Sequence, residues 1–165
     1  MRFISKNWYE TTVRYERQTE DGLKKVSELY VVDAINFGET EETITQELAP
    51  FVSGEFNVKG ISPATYKEII FSDDANDDKW YKAKLTFITL DDVTSKEKKT
   101  NVYYLVQAKT FNGAVTNIEE AMKGSLGEYV IANISETKIL DVFEHEATKN
   151  DKTDDRPEYE EQDKK

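Results

Sequence analysis

Lys6-Asn7-Trp8-Tyr9 near the start of the chain and Asp78-Lys79-Trp80-Tyr81 near its middle stand 72 positions apart and share the pair Trp-Tyr. The likeness continues in order. Tyr30-Val31-Val32-Asp33-Ala34-Ile35-Asn36-Phe37 matches Tyr104-Leu105-Val106-Gln107-Ala108-Lys109-Thr110-Phe111 at an offset of 74, and Ile44 and Leu48 match Ile118 and Met122. Gly54-Glu55-Phe56-Asn57-Val58 then matches Gly127-Glu128-Tyr129-Val130-Ile131 at 73, and Phe71 pairs with Phe143 at 72. Small changes of offset fall where loops change length, so the series reads as a tandem duplication.

Each half reads strand, strand, helix, strand and a further strand. In the first half, Trp8 to Arg17 and Val26 to Ala34 flank a turn containing Asp21-Gly22, a hairpin signal with a loop longer than two residues. A helix is expected from about Glu39, where three glutamates suit the positive end of its dipole, with Ile44, Leu48 and Phe51 as its apolar stripe and Pro50 near its end. Strands follow at Glu55 to Ile61 and Tyr66 to Phe71. The second half repeats this with strands at Trp80 to Thr89 and Asn101 to Lys109, a helix from about Gly113 to Lys123 carrying Val115, Ile118 and Met122, and strands at Glu128 to Ile134 and Lys138 to Phe143.

A half of about 70 residues is marginal alone. The expected fold class is therefore α+β: two strand-strand-helix-strand-strand units whose antiparallel sheets merge or pack around the helices in one pseudo-symmetric domain. That domain spans residues 1–143, with repeat one at about 6–71 and repeat two at about 79–143.

Composition narrows the chemistry. The 165 residues include 33 acids, 22 bases, one His and no Cys, for a net charge of −11. Without Cys there are no disulfides, thiolate nucleophiles or thiolate zinc sites, and a lone histidine, His145, argues against a Ser-His-Asp triad or a multi-His metal site. No paired-carboxylate motif or Gly-rich phosphate cradle is present, so the chain reads as a non-enzyme without cofactor. Acids crowd Ser72-Asp73-Asp74-Ala75-Asn76-Asp77-Asp78, but this stretch lacks EF-hand spacing and reads as the connector between repeats, with no metal. No apolar run reaches the ~18 to 20 residues a bilayer requires, and residues 1–6 lack a signal-peptide core, so a cytoplasmic protein with no membrane partner is expected.

Residues 144–165 hold nine acids against five bases, a net −4 that leaves −7 on the rest. With no large aliphatic side chain the segment cannot offset its ordering entropy, and a disordered acidic tail is expected. Such a tail is a solubilising extension, or it recruits replication proteins or competes for a basic groove in its own body.

Strand periodicity selects the candidate binding face. With Tyr9, Val13 and Tyr15 on the core side of the first strand, Trp8, Glu10, Thr12, Arg14 and Glu16 fall opposite. With Tyr81, Ala83, Leu85 and Phe87 inward in its copy, Trp80, Lys82, Lys84 and Thr86 fall opposite. In the next strand Tyr103, Leu105, Gln107 and Lys109 face outward. Trp8, Arg14, Trp80, Lys82, Lys84, Tyr103 and Lys109 thus become candidate nucleic-acid contacts, since any base can stack on a ring while cations neutralise phosphate. A loop from Asp91 to Thr100 would add Lys96, Lys98 and Lys99. The competing reading is that both tryptophans start their strands and cover the end of the core.

The strings Trp8-Tyr9-Glu10, Tyr30-Val31-Val32-Asp33-Ala34, Ser53-Gly54-Glu55-Phe56, Trp80-Tyr81-Lys82, Phe87-Ile88-Thr89-Leu90-Asp91 and Ile139-Leu140-Asp141-Val142-Phe143 resemble a family catalogued as a domain of unknown function, number 4494, of Bacteroides-type bacteria and their phages. The resemblance spans about Trp8 to Phe143 and implies no catalytic residue. Architecturally, the duplicated units with an aromatic-basic sheet resemble Whirly and Pur-type single-strand binders, and the acidic C-terminus resembles that of single-strand-binding proteins. The ending Asp163-Lys164-Lys165 departs from the acidic and apolar finish of such tails.

The expected function is sequence-tolerant binding of single-stranded DNA in a phage or mobile-element replication system, a role compatible with a homo-oligomer. The alternative is a protein-interaction module, such as a phage factor that binds or inhibits a host protein through its acidic surface.

Overall fold

A computed structural model of the chain describes residues 7–52, 54–125 and 127–144. The expected acidic tail from residue 145 onward, with His145, lies outside the described residues. The elements in order are β1 (Trp8–Thr19), β2 (Gly22–Asp33), α1 (Phe37–Leu48), β3 (Phe56–Ala64), β4 (Tyr66–Ile70), β5 (Lys79–Leu90), β6 (Glu97–Ala108), α2 (Phe111–Ala121), β7 (Glu128–Glu136) and β8 (Ile139–Phe143). This is an α+β fold whose two halves repeat one another element by element.

The hairpins run farther than their apolar alternation suggested. β1 and β2 pair from Trp8 opposite Asp33 to Thr19 opposite Gly22, leaving a two-residue loop in place of the longer one expected. Gly22 allows it, because its φ of +106° is one that side-chain-bearing residues rarely adopt. The β5–β6 ladder likewise continues to Leu90 opposite Glu97, so Lys98 and Lys99 belong to β6 and not to a loop. Their stretch is polar on both faces, no described element covers the hairpin tip, and backbone pairing carries the strands there.

Both helices start two residues before the expected positions because their caps lie upstream. The Asn36 side chain accepts from the Glu39 amide at 2.9 Å, and the Thr110 hydroxyl from the Gly113 amide at 3.0 Å. α1 buries Thr40, Ile44 and Leu48, while Phe51, beyond its end, is exposed. α2 buries Ala114 and Ile118, with Met122 at its cap, and Val115 is only partly covered.

The strand orders are β3-β1-β2-β8 in the first sheet and β4-β6-β5-β7 in the second. The last strand of each repeat has therefore crossed to its neighbour's sheet. β4 follows β3 after the single residue Thr65, yet pairs in parallel with β6; β8 follows β7 closely and pairs in parallel with β2. Even the irregularities repeat. The β1–β3 ladder skips Lys59 and the β5–β7 ladder skips Ala132, while β4 skips Lys67 and β8 skips Leu140.

Three apolar clusters give four layers. One joins α1 to Val13, Tyr30, Val32 and Ala34 of the first sheet, and a second joins α2 to Tyr81, Ala83, Leu85, Tyr104 and Val106 of the other. The third lies between the sheets and is built from Trp8, Val31, Ile139 and Val142 against Tyr66, Ile69, Trp80 and Leu105. The sheets thus do not wrap around the helices. They pack on each other through the faces the helices leave free, and the helices lie outside.

Candidate nucleic-acid interface

The inner face of each sheet begins at this shared core and runs outward along its hairpin. Pairing partners place side chains in transverse rows. In the second sheet one row reads Ser135, Lys82, Leu105, Ile69 and the next Asn133, Lys84, Tyr103, Tyr66. Leu105 and Ile69 are buried, Lys82, Asn133 and Ser135 are exposed, and Lys84 and Tyr103 are half-covered. Lys82, Lys84, Tyr103, Asn133 and Ser135 together line a shallow recess. Farther out along the same face come Thr86 and Asn101, joined by a 2.8 Å hydrogen bond, then Ile88, Lys99 and Glu128.

The Lys82 ammonium stands 4.8 Å from the centre of the Tyr103 ring and 5.9 Å from that of Tyr66, close enough for attraction to both π faces. Neither Lys82 nor Lys84 pairs with a carboxylate among the described residues. The Tyr66 hydroxyl reaches across the sheets and donates to Glu10 at 2.8 Å. Burial, then the hydrogen bond to Glu10 and the charge on that carboxylate, raise the Tyr66 phenol well above its ordinary range, so it remains a donor. The recess thus offers two ammonium groups, an amide, a hydroxyl and a partly open phenol, a set suited to an anion with an aromatic or sugar neighbour.

Of the seven candidates from the sequence, the structure brings Lys82, Lys84 and Tyr103 together. Trp8 and Trp80 are corrected: they lie on the faces periodicity assigned, but those faces are closed by the opposite sheet, leaving 3% and 1% of each residue exposed. A base cannot stack there. Arg14 is exposed on the first sheet, where it donates to the Ser27 hydroxyl and lines a separate recess with Lys25, Lys59, Glu16 and Glu55. Lys109 is exposed beyond the end of β6, six residues or about 20 Å of strand from Tyr103, with buried Leu105 between.

Asn133 and Ser135 join the face as residues the sequence does not single out, and Lys99, expected in a loop, joins it from β6. Asn133 and Ser135 became neighbours of the lysines only through the pairing of β7 with β5, a partnership that composition does not reveal. In the connector, the Asp77 carboxylate accepts from the Ser72 hydroxyl and that of Asp74 from the Asn76 amide, so these acids shape a turn. Among the described residues no three His, Asp or Glu side chains cluster as a metal site, and no helix is long and apolar enough to cross a membrane.

Fold and face together define a duplicated, strand-exchanged α+β protein with a cationic, tyrosine-bearing surface on its second sheet. The chain belongs to the family described as Domain of unknown function (DUF4494), whose profile matches residues 7–145. No curated protein matches it.

Proposed function

We propose that the protein is a non-enzymatic binder of single-stranded DNA that holds the strand on the inner face of its second sheet. The observation that carries this reading is the juxtaposition of Lys82, Lys84 and Tyr103, two lysines without carboxylate partners among the described residues beside a half-exposed ring. From Lys82 to Lys99, opposite Ile88, the face runs about six residues of strand, or about 20 Å, long enough for successive phosphates.

Lys82 covers part of the Tyr103 ring in the free protein. On binding, its ammonium exchanges the ring for a phosphate and opens Tyr103 to a base. The exchange is favourable, since an exposed cation–π contact contributes about 0.5–1 kcal/mol and a base stacked on an aromatic side chain about 1–3 kcal/mol. The protein's net charge of −11 counts against long-range attraction, so affinity at moderate salt is expected to be modest. A role in phage or mobile-element replication belongs to the same proposal.

Because both tryptophans are buried, the test is anisotropy of a labelled oligo-dT rather than Trp fluorescence. With three lysines neutralising phosphates, log affinity should fall against log salt with a slope of about −2. Lys82→Ala with Lys84→Ala should bring the slope to about −0.7. Absence of binding at low salt, or binding indifferent to salt, sinks the reading.

A further inference from the structure

Superposing the two repeats by their ladders matches every inner-face position of one sheet with a position of the other. The row Ser135, Lys82, Leu105, Ile69 corresponds to Ser62, Glu10, Val31, Val142, and the row Asn133, Lys84, Tyr103, Tyr66 to Gly60, Thr12, Leu29, Ile139. Positions in the shared core stay apolar in both copies. The solvent-side positions do not: Lys82 becomes Glu10, Lys84 becomes Thr12, Tyr103 becomes Leu29 and Asn133 becomes Gly60. The first repeat therefore presents an acid where the second presents a cation, and has neither ring nor amide beside it.

We infer that the duplicated halves have divided their roles, so that each chain takes one strand of nucleic acid, on the second repeat alone, and Glu10 is the residue that excludes an anionic ligand from the equivalent place in the first. The inference rests on the single-stranded-DNA reading above. Glu10 also accepts the Tyr66 hydroxyl from the other sheet, which holds the carboxylate at the mouth of the inter-sheet core. Its charge stays where a phosphate would have to sit, and removing it from water by a bound strand would leave two like charges facing each other. Arg14, Lys25 and Lys59 line a recess farther along, but Glu16 and Glu55 line it with them and offset two of the three charges, whereas no acid lines the recess of Lys82 and Lys84.

Two measurements on the full chain with a short oligo-dT decide the point. Calorimetric titration should give one oligonucleotide per chain. Amide shifts in a proton–nitrogen NMR spectrum should be confined to Lys82–Ile88, Lys99–Tyr103 and Asn133–Ser135. Stoichiometry of two, or shifts of similar size at Glu10–Thr12 and Ser27–Leu29, would overturn the division of roles while leaving DNA binding intact. No binding at all would overturn both. Glu10→Lys combined with Thr12→Lys should raise the stoichiometry from one to two, and a folded variant that still binds one would refute Glu10 as the excluding charge. Thr12→Lys with Glu10 kept should still bind one, whereas Glu10→Gln with Thr12→Lys, which keeps an acceptor for Tyr66 but removes the charge, should bind a second, and equal stoichiometry in the two would also refute Glu10 as the excluding charge.

Discussion

Replacing Trp80 by Ala separates a buried anchor from an exposed stacking residue. The Trp80 indole is fully enclosed, sits edge-on to Phe71 at 5.6 Å between ring centres, and belongs to the cluster that joins the two sheets. Its own carbonyl accepts both the amide and the hydroxyl of Thr137, at 2.9 and 2.8 Å, which fixes the backbone on either side of the crossing into β8. A cavity opened here lies between two hydrogen-bonded sheets that cannot close over it. The upper range for aromatic truncation, about 3–5 kcal/mol, is therefore expected, out of a total of about 5–15 kcal/mol for a domain of this size. At about 2–4 °C per kcal/mol, Tm should drop on the order of 10–15 °C. An exposed residue would change stability by less than about 0.5 kcal/mol. Thermal and urea unfolding followed by circular dichroism supply the comparison, with acrylamide quenching of the parent protein as an independent readout of burial. A Trp80→Ala protein melting within about 2 °C of the parent would refute the inter-sheet packing on which the site assignment depends. Measured well below its Tm, the same variant should keep its oligo-dT affinity within about twofold, because a residue sealed between the sheets makes no contact with the strand.

The tyrosines predict an alkaline limit. Burial, then Glu10 acting on Tyr66, and burial, then Glu28 acting on Tyr30, raise both phenols above the ordinary value of 10.0. The unfolded chain releases these protons near pH 10 while the folded chain keeps them, so stability is unaffected below that pH and declines as pH rises beyond it, by up to about 1.4 kcal/mol per pH unit for each tyrosine. Urea midpoints at about pH 9 and about pH 11 measure the slope, which Tyr30→Phe with Tyr66→Phe should flatten; an unchanged slope would reject the assignment. At the helix starts, Asn36→Ala and Thr110→Ala should each cost about 1 kcal/mol in urea unfolding, and a loss under about 0.3 kcal/mol would mean that the observed cap bonds do not matter. Asn36→Asp should be nearly neutral, since aspartate accepts the same amide.

Much of the architecture is legible in the chain because the duplication prints every element twice. The Trp-Tyr pairs, the apolar segments from Tyr30 and Tyr104 and the two Gly-Glu strings each mark the same place in a half, and alternation assigns Tyr81, Ala83 and Leu85 correctly to the helix side. Periodicity identifies which residues share a face, but not what covers that face. Periodicity puts Trp8 and Trp80 on the correct side but leaves base stacking and core cover equally open, and burial decides for core cover, supplied by strands more than fifty residues away. β4 and β8 supply that cover, and their exchange leaves no local trace: Tyr66 to Ile70 and Ile139 to Phe143 look like any short terminal strands. Pairing of β7 with β5 is equally non-local, and it alone brings Asn133 and Ser135 beside the lysines.

Exchange of the last strands also explains why divergence took the form it did. Each sheet is completed by a strand from the other repeat, so a substitution at Val31, Leu105, Ile69 or Val142 disturbs both halves at once, and these positions remain apolar in both copies. One pleat outward, at Glu10 and Lys82 or Leu29 and Tyr103, side chains reach solvent at the mouth of that core, where Glu10 holds the Tyr66 hydroxyl and Lys82 stands over the Tyr66 and Tyr103 rings. Opposite charges occupy the equivalent places there, although an acceptor for Tyr66 needs no net charge and Lys82 has no carboxylate partner among the described residues. If Lys82, Lys84 and Tyr103 hold a ligand, as proposed, this difference between the copies is what selection for that ligand on one repeat alone would leave.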